Sequence, residues 1–117
     1  MAAVMAQPDA PGEEALLGLI DATCAFWRAS PAAMAELYAL GRLDAQLDEA
    51  IQAREVRRRG PLEMLVRRIS EAGRLRKGWT EESAVEALAA VTHFHVFTML
   101  SEPEATMRRL ASSILAD

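Results

Sequence analysis

Residues 80–100, TEESAVEALAAVTHFHVFTML, decide the fold. Thr80 offers a hydroxyl as N-cap, and Glu81 and Glu82 put negative charge in the first turn, where the helix dipole favours it. Neither Pro nor Gly interrupts the run before Pro103, so the stretch predicts one long helix. At about 100° per residue, Ala84, Val85, Leu88, Val91, Thr92, His95 and Met99 gather on one face. Ala87, Ala90, Phe94 and Phe97 fall on the other. A helix apolar all round is covered all round. The chain's own helices can cover one face, and the natural cover for the other is a second copy of the chain, so the stretch also predicts a homodimer.

Upstream, Asp44 is a cap for a helical region that runs to Ala72 and ends at Gly73. Leu47, Ile51, Leu62, Leu65 and Ile69 share one stripe on a continuous helical period. Pro61 cannot donate to the carbonyl of Arg57, which predicts a kink or two abutting helices at Gly60-Pro61. Arg58 falls on the apolar stripe with Glu55 beside it, three residues earlier. Before this region, Ser30-Pro31 restarts a helix carrying Met34, Leu37, Tyr38 and Leu40, with Gly41 as its C′ residue. The first helix begins near Glu13, with Leu16, Leu17, Ile20, Cys24 and Trp27 at helical spacing. Residues 1–12 are small and contain Pro without periodicity, and read as a flexible leader; residues 13–117 read as a single helical domain. Downstream, the basic connector 73–78 leads to Trp79 as a staple residue, and Pro103 starts a last helix with Met107, Leu110, Ala111 and Ile114 on one face.

The chain of 117 residues is 51% apolar, 26% charged and 5% aromatic, enough for one domain with a real core. No stretch alternates apolar and polar residues over a strand's length, so the expected fold is all-α, a bundle of five to six helices. A net charge of −4 argues against direct nucleic-acid binding by this chain. Nine of the thirteen basic residues lie between Arg54 and Lys77, but Glu55, Glu63 and Glu71 interleave them and stacking aromatics are missing, which reads as a solvated face. There is no apolar run of roughly 18 residues and no charged-then-apolar leader, so neither a membrane span nor a signal peptide is expected, and the cytoplasm is the expected location. The lone Cys24 has no Cys or His at ligand spacing, and no metal is expected. His93 and His95, two apart, should lie on opposite sides of a helix. No Gly-rich phosphate loop, GxSxG, HExxH or CxxC is present, so neither catalysis nor a cofactor is expected.

Polar groups on apolar faces mark the candidate ligand-binding residues. His95 reads as a core histidine or as a group that hydrogen-bonds a ligand, with Thr92 beside it. Arg58 with Glu55 reads as a buried ion pair locking the kink or as an anchor for an acidic ligand. Trp27, Met34 and Tyr38 read as core or as the walls of a pocket.

Several strings occur in a suggestive order: AFW ending at Trp27, LYAL at 37–40 followed by LDAQL, the Arg triplet 57–59, LEMLVRRISEAGRLRKG, WTEESAVEALAAVT and a short terminal helix. Across residues 21–117 this order resembles the C-terminal effector-binding and dimerisation domain of TetR-family transcriptional regulators. The resemblance implies that the last two helices pair with their symmetry mates as a four-helix bundle, with Ala90, Phe94, Phe97, Met107, Leu110 and Ile114 as interface candidates. It also implies a small apolar or amphipathic effector, held between the first three helical segments and the long helix. Full-length members of the family begin with a helix-turn-helix unit, which residues 1–12 cannot supply. The expected function is therefore that of a TetR-like sensor domain without a DNA-binding head. The alternative is a head-less helical protein that pairs with itself or with a full-length relative and takes no ligand.

Overall fold

A computed structural model describes residues 12–116, and the expected leader lies outside them except for Gly12. Six helices occur among the described residues: α1 (Gly12–Ala29), α2 (Pro31–Gly41), α3 (Ala45–Glu71), α4 (Glu81–Val91), α5 (Phe94–Met99) and α6 (Pro103–Ser112). Among these residues β pairing is limited to one isolated antiparallel bridge, Leu75 to Leu115, flanked by Arg76 N–H to Ile114 O and Ala116 N–H to Arg74 O, each 2.7 Å. The fold class is all-α.

The helices form where local chemistry favours them. Glu13 and Glu14 open α1 and Arg28 closes it, each matching the local end of the dipole. Asp44 Oδ1 accepts from the amides of Gln46 and Leu47 at the start of α3. Thr80 and Ser83 cap α4 reciprocally, each side chain accepting the other's amide at 2.9 Å. Ser30 precedes Pro31 as expected but makes no side-chain cap bond. Gly41 is the last residue of α2 rather than a left-handed cap. A Cβ there would lie 2.6 Å from Ile51 Cδ1, the tip of a side chain that would have to move aside. Gly73, after α3, does take the left-handed conformation, with φ of 70°.

The main core is one apolar cluster. α1 supplies Leu16, Leu19, Ile20 and Cys24; α3 supplies Leu62, Leu65, Val66 and Ile69; α4 supplies Ala84, Val85 and Leu88; Met107, Ala111 and Ile114 close it from the C-terminal side. Each buried Leu or Ile contributes about 1.5–3 kcal/mol. A second, smaller cluster of Trp27, Met34 and Phe94 sits where α1, α2 and α5 meet, with Leu37, Tyr38 and Phe97 packed against it.

One alternative for Gly60-Pro61, two abutting helices, and the single long helix at 80–100 need correction. α3 is continuous from Ala45 to Glu71 with Pro61 inside it, not two abutting helices. Contacts with α1, α2 and α4 hold the helix along its length, so the loss of one internal hydrogen bond does not end it. The stretch 80–100, conversely, is not one helix: α4 stops at Val91 and α5 starts at Phe94, with no Pro or Gly between. Side chains from elsewhere take the bonds that would have continued it. The Trp27 indole N–H donates to the Thr92 carbonyl (2.9 Å) and Arg58 donates to the Ala89 carbonyl (2.8 Å). His93 then turns extended, with ψ of 148°, and its Nδ1 accepts the His95 amide to cap α5. The break changes the basis for expecting a partner, because Phe94 now turns inward and is covered by the chain's own Trp27 and Tyr38.

Candidate functional site

Arg58 lies at the centre of the polar region. Its side chain is 12% exposed and forms an ion pair with Glu55 at 2.9 Å. Its remaining donors go to Thr92 Oγ1 (2.6 Å) and to the Ala89 carbonyl, so α3 is tied to the end of α4. Thr92 in turn donates to the Leu88 carbonyl at 2.6 Å. Tyr38 donates to Glu55 at 3.0 Å, and His93 Nε2 lies 3.7 Å from the same carboxylate. Burial pushes the Glu55 carboxyl up, but Arg58, Tyr38 and His93 together outweigh it and leave the group below the usual carboxylate range. Burial pushes the Tyr38 phenol up to about 12, and its bond to Glu55 adds to the rise. Burial likewise lowers His93, opposed by Glu55 and reinforced by Arg58 and His95.

Of the grooves that flank this centre, two carry most of the candidate residues. One, between α1 and α3, has a volume of about 320 Å³ and is lined by Thr23, Phe26 and Trp27 on one wall and Arg54, Arg57, Arg58 and Pro61 on the other. A narrow cavity of about 10 Å³ beneath the same helices touches Leu19, Leu62 and Thr92. The other groove, between α2, α3 and α5, has a volume of about 420 Å³ and is polar, with Tyr38, Arg42, Asp48, Gln52, Glu55, His93 and His95 on its walls. Volumes of ~300–1,000 Å³ are ordinary for small-molecule sites.

The candidate ligand residues thus occupy one neighbourhood but not one cavity. Trp27 and Arg58 line the α1/α3 groove, while Tyr38 and His95 line the polar one. Met34 is packed into the small cluster, and Thr92 is buried at 1% exposure with its polar atoms bonded. His95 is exposed rather than set in an apolar face, its ring 4.9 Å from that of Tyr38. The two histidines do not oppose each other: the break after Val91 brings their rings to 5.0 Å, nearly parallel at 24°. Among the described residues no three His, Cys, Asp or Glu side chains are grouped to hold a metal ion. Cys24 is buried with its sulfur 3.5 Å from Met107 Sδ, and burial pushes its thiol up to about 11.

The dimer candidates divide in a similar way. Phe94, Met107 and Ile114 are at most 1% exposed within the chain itself. Ala90 and Leu110 face outward and Phe97 is half-buried under Arg28. The residues that periodicity did not single out are Phe26, Arg54 and Arg57. The signal was present, since Arg54, Arg57, Arg58 and Pro61 recur at one-turn spacings on the face of α3 that meets α1.

Comparison with family models, with curated proteins and with solved structures returns no match. The TetR resemblance therefore stands on the strings quoted above. No described helix is long and apolar enough to cross a membrane.

Proposed function

We propose that the chain is a TetR-like effector-binding and dimerisation domain of the cytoplasm, which binds rather than catalyses. One observation carries this reading: a groove between α1 and α3 with an aromatic floor shares Trp27 and Arg58 with the junction of α4 and α5. A small apolar or amphipathic molecule entering the groove displaces or tightens these two side chains. Because both hold carbonyls at the end of α4, occupancy shifts α4 relative to α5 and α6. A ligand with different affinity for the two arrangements changes their populations, which is what a sensor requires. The outward part of the candidate interface, Ala90, Phe97 and Leu110, lies on α4, α5 and α6 and is the surface proposed to meet a second copy.

The test is native mass spectrometry of the purified chain, followed by thermal unfolding against a panel of small hydrophobic compounds. A dimer and at least one stabilising compound are expected, and a ligand at a hundred times its Kd adds about 2.7 kcal/mol. No stabilisation by any compound at high concentration overturns sensing, and a monomer overturns dimerisation. The second reading, a partner protein that pairs without a ligand, is favoured by large apolar side chains left in solvent, Leu43 at 87% and Met99 at 79% exposure. A dimer indifferent to every compound selects it.

A further inference from the structure

The α1/α3 groove carries charge that nothing on its walls balances. Of its three guanidinium groups, that of Arg58 is neutralised by Glu55 at 2.9 Å. Arg54 lies over the Phe26 ring, 5.1 Å from its centroid, and reaches the Met34 sulfur at 3.9 Å. Neither Arg54 nor Arg57 has a carboxylate partner among the described residues. By contrast, Arg28, Arg74 and Arg108 each sit on one: Glu104, Glu13 and Asp21. The glutamates that interleave the basic run in sequence do not reach the groove. Glu55 is spent on Arg58, and Glu63 faces the opposite cleft with Arg59 and Arg67.

We propose that this groove binds a small monocarboxylate with a compact apolar body, its carboxylate held by Arg54 and Arg57 and its body laid on Phe26, Trp27 and Pro61. The assignment rests on the reading of the groove as the effector site. The chemistry follows from the walls. Two guanidinium groups three residues apart on one helix offer planar forks that match a carboxylate and repel an ammonium. Phe26 and Trp27 cover one side of the groove, where Arg54 is partly buried, and Arg57 stands at its open rim. A volume near 320 Å³ suits a short chain or a single ring system rather than a long lipid. Arg58 is left to its structural role, so the acidic ligand is read by its two neighbours.

The experiment compares three probes of eight carbons each, octanoate, 1-octanol and octylamine, by calorimetric titration at neutral pH; octanoate has the shorter apolar body, so a preference for it is not due to apolar area. The Trp27 indole N–H resonance is followed by NMR as the local reporter. Octanoate is expected to bind about tenfold tighter than octanol, the scale of one charge-assisted hydrogen bond, with octylamine weakest and the indole resonance shifting with occupancy. In the variant Arg54→Gln/Arg57→Gln, which removes no ion pair and is checked for an unchanged unfolding midpoint, octanoate falls to the affinity of octanol, which itself stays the same. Equal binding of octanoate and octanol to the unaltered chain, or a preference for octanoate that survives the double substitution, overturns the carboxylate assignment and leaves the groove as an apolar site. An unmoved indole resonance with all three probes overturns the assignment and the reading of the groove together.

Discussion

Two regions of this small bundle are held differently, one sealed from water and the other only partly covered. Around Leu65, side chains from α1, α3, α4 and α6 meet in a cluster with almost no polar atoms, where the stabilisation comes from apolar area removed from water. Around Arg58, directed bonds link Glu55, Tyr38, Thr92 and Trp27, with the His93 ring 3.7 Å from the Glu55 carboxylate. The first region tolerates a change of volume by local repacking, at a cost set by the cavity left. The second answers to a change in a single donor, because each bond fixes the partner of the next. A region of the first kind makes a fold, and one of the second kind makes a fold that can be switched.

The largest expected effect breaks the apolar side of the comparison. Leu65→Ala, at a site with no exposure, should cost about 2–5 kcal/mol in denaturant unfolding, without altering the pH dependence. A loss under 1 kcal/mol would mean that the cluster collapses freely and is less well packed than it looks. Next comes Arg58→Leu, which leaves Glu55 half-buried without its cation and frees the carbonyl of Ala89. About 1–3 kcal/mol is expected, and substantially less when the change is made in a Glu55→Gln background, because the stranded charge is then gone. Equal costs in the two backgrounds would show that Arg58 acts through packing of its stem and not through the network. The smallest effect sharpens the polar side. His93 caps α5 through a neutral Nδ1, and its folded-state pKa lies below the ordinary 6.5 because of burial, with Glu55 opposing. The unfolded chain therefore takes up the proton first, and the contribution of His93, complete above 6.5, is lost as pH falls toward the lower folded value. Unfolding measured between about pH 7.5 and 5.5, above the range of Glu55, should show this slope in the unaltered chain and lose it in His93→Asn, which caps without titrating.

The same contrast explains what could be read from the residues alone. The apolar stripes of α1 and α3 and the caps Asp44 and Thr80 are local, so a periodicity and a hydroxyl or carboxylate at the right offset suffice to find them. The interruption after Val91 is not local. It is imposed by Trp27 and Arg58, which reach Thr92 across 65 and 34 residues, and nothing within 80–100 announces it. Periodicity assumed a continuous helix and so placed His93 and His95 on opposite sides and Phe94 on an outer face. The candidate site was legible where a polar residue interrupts an apolar stripe, as Arg58 does. It was illegible where the question is which arginine finds a carboxylate, because that choice is made by elements far apart in the chain: Arg28 with Glu104, Arg108 with Asp21.

The sulfur of Cys24, sealed against Met107 between α1 and α6, has a consequence for watching the molecule move. It is the one thiol of the chain, it has no exposure, and its high pKa keeps it protonated and inert in place. A thiol reagent can consume it only while the two helices are apart. The speed of that reaction is therefore a gauge of how often the bundle breathes along the seam between its first and last helices. Any molecule that clamps α1 slows the gauge without ever touching the sulfur.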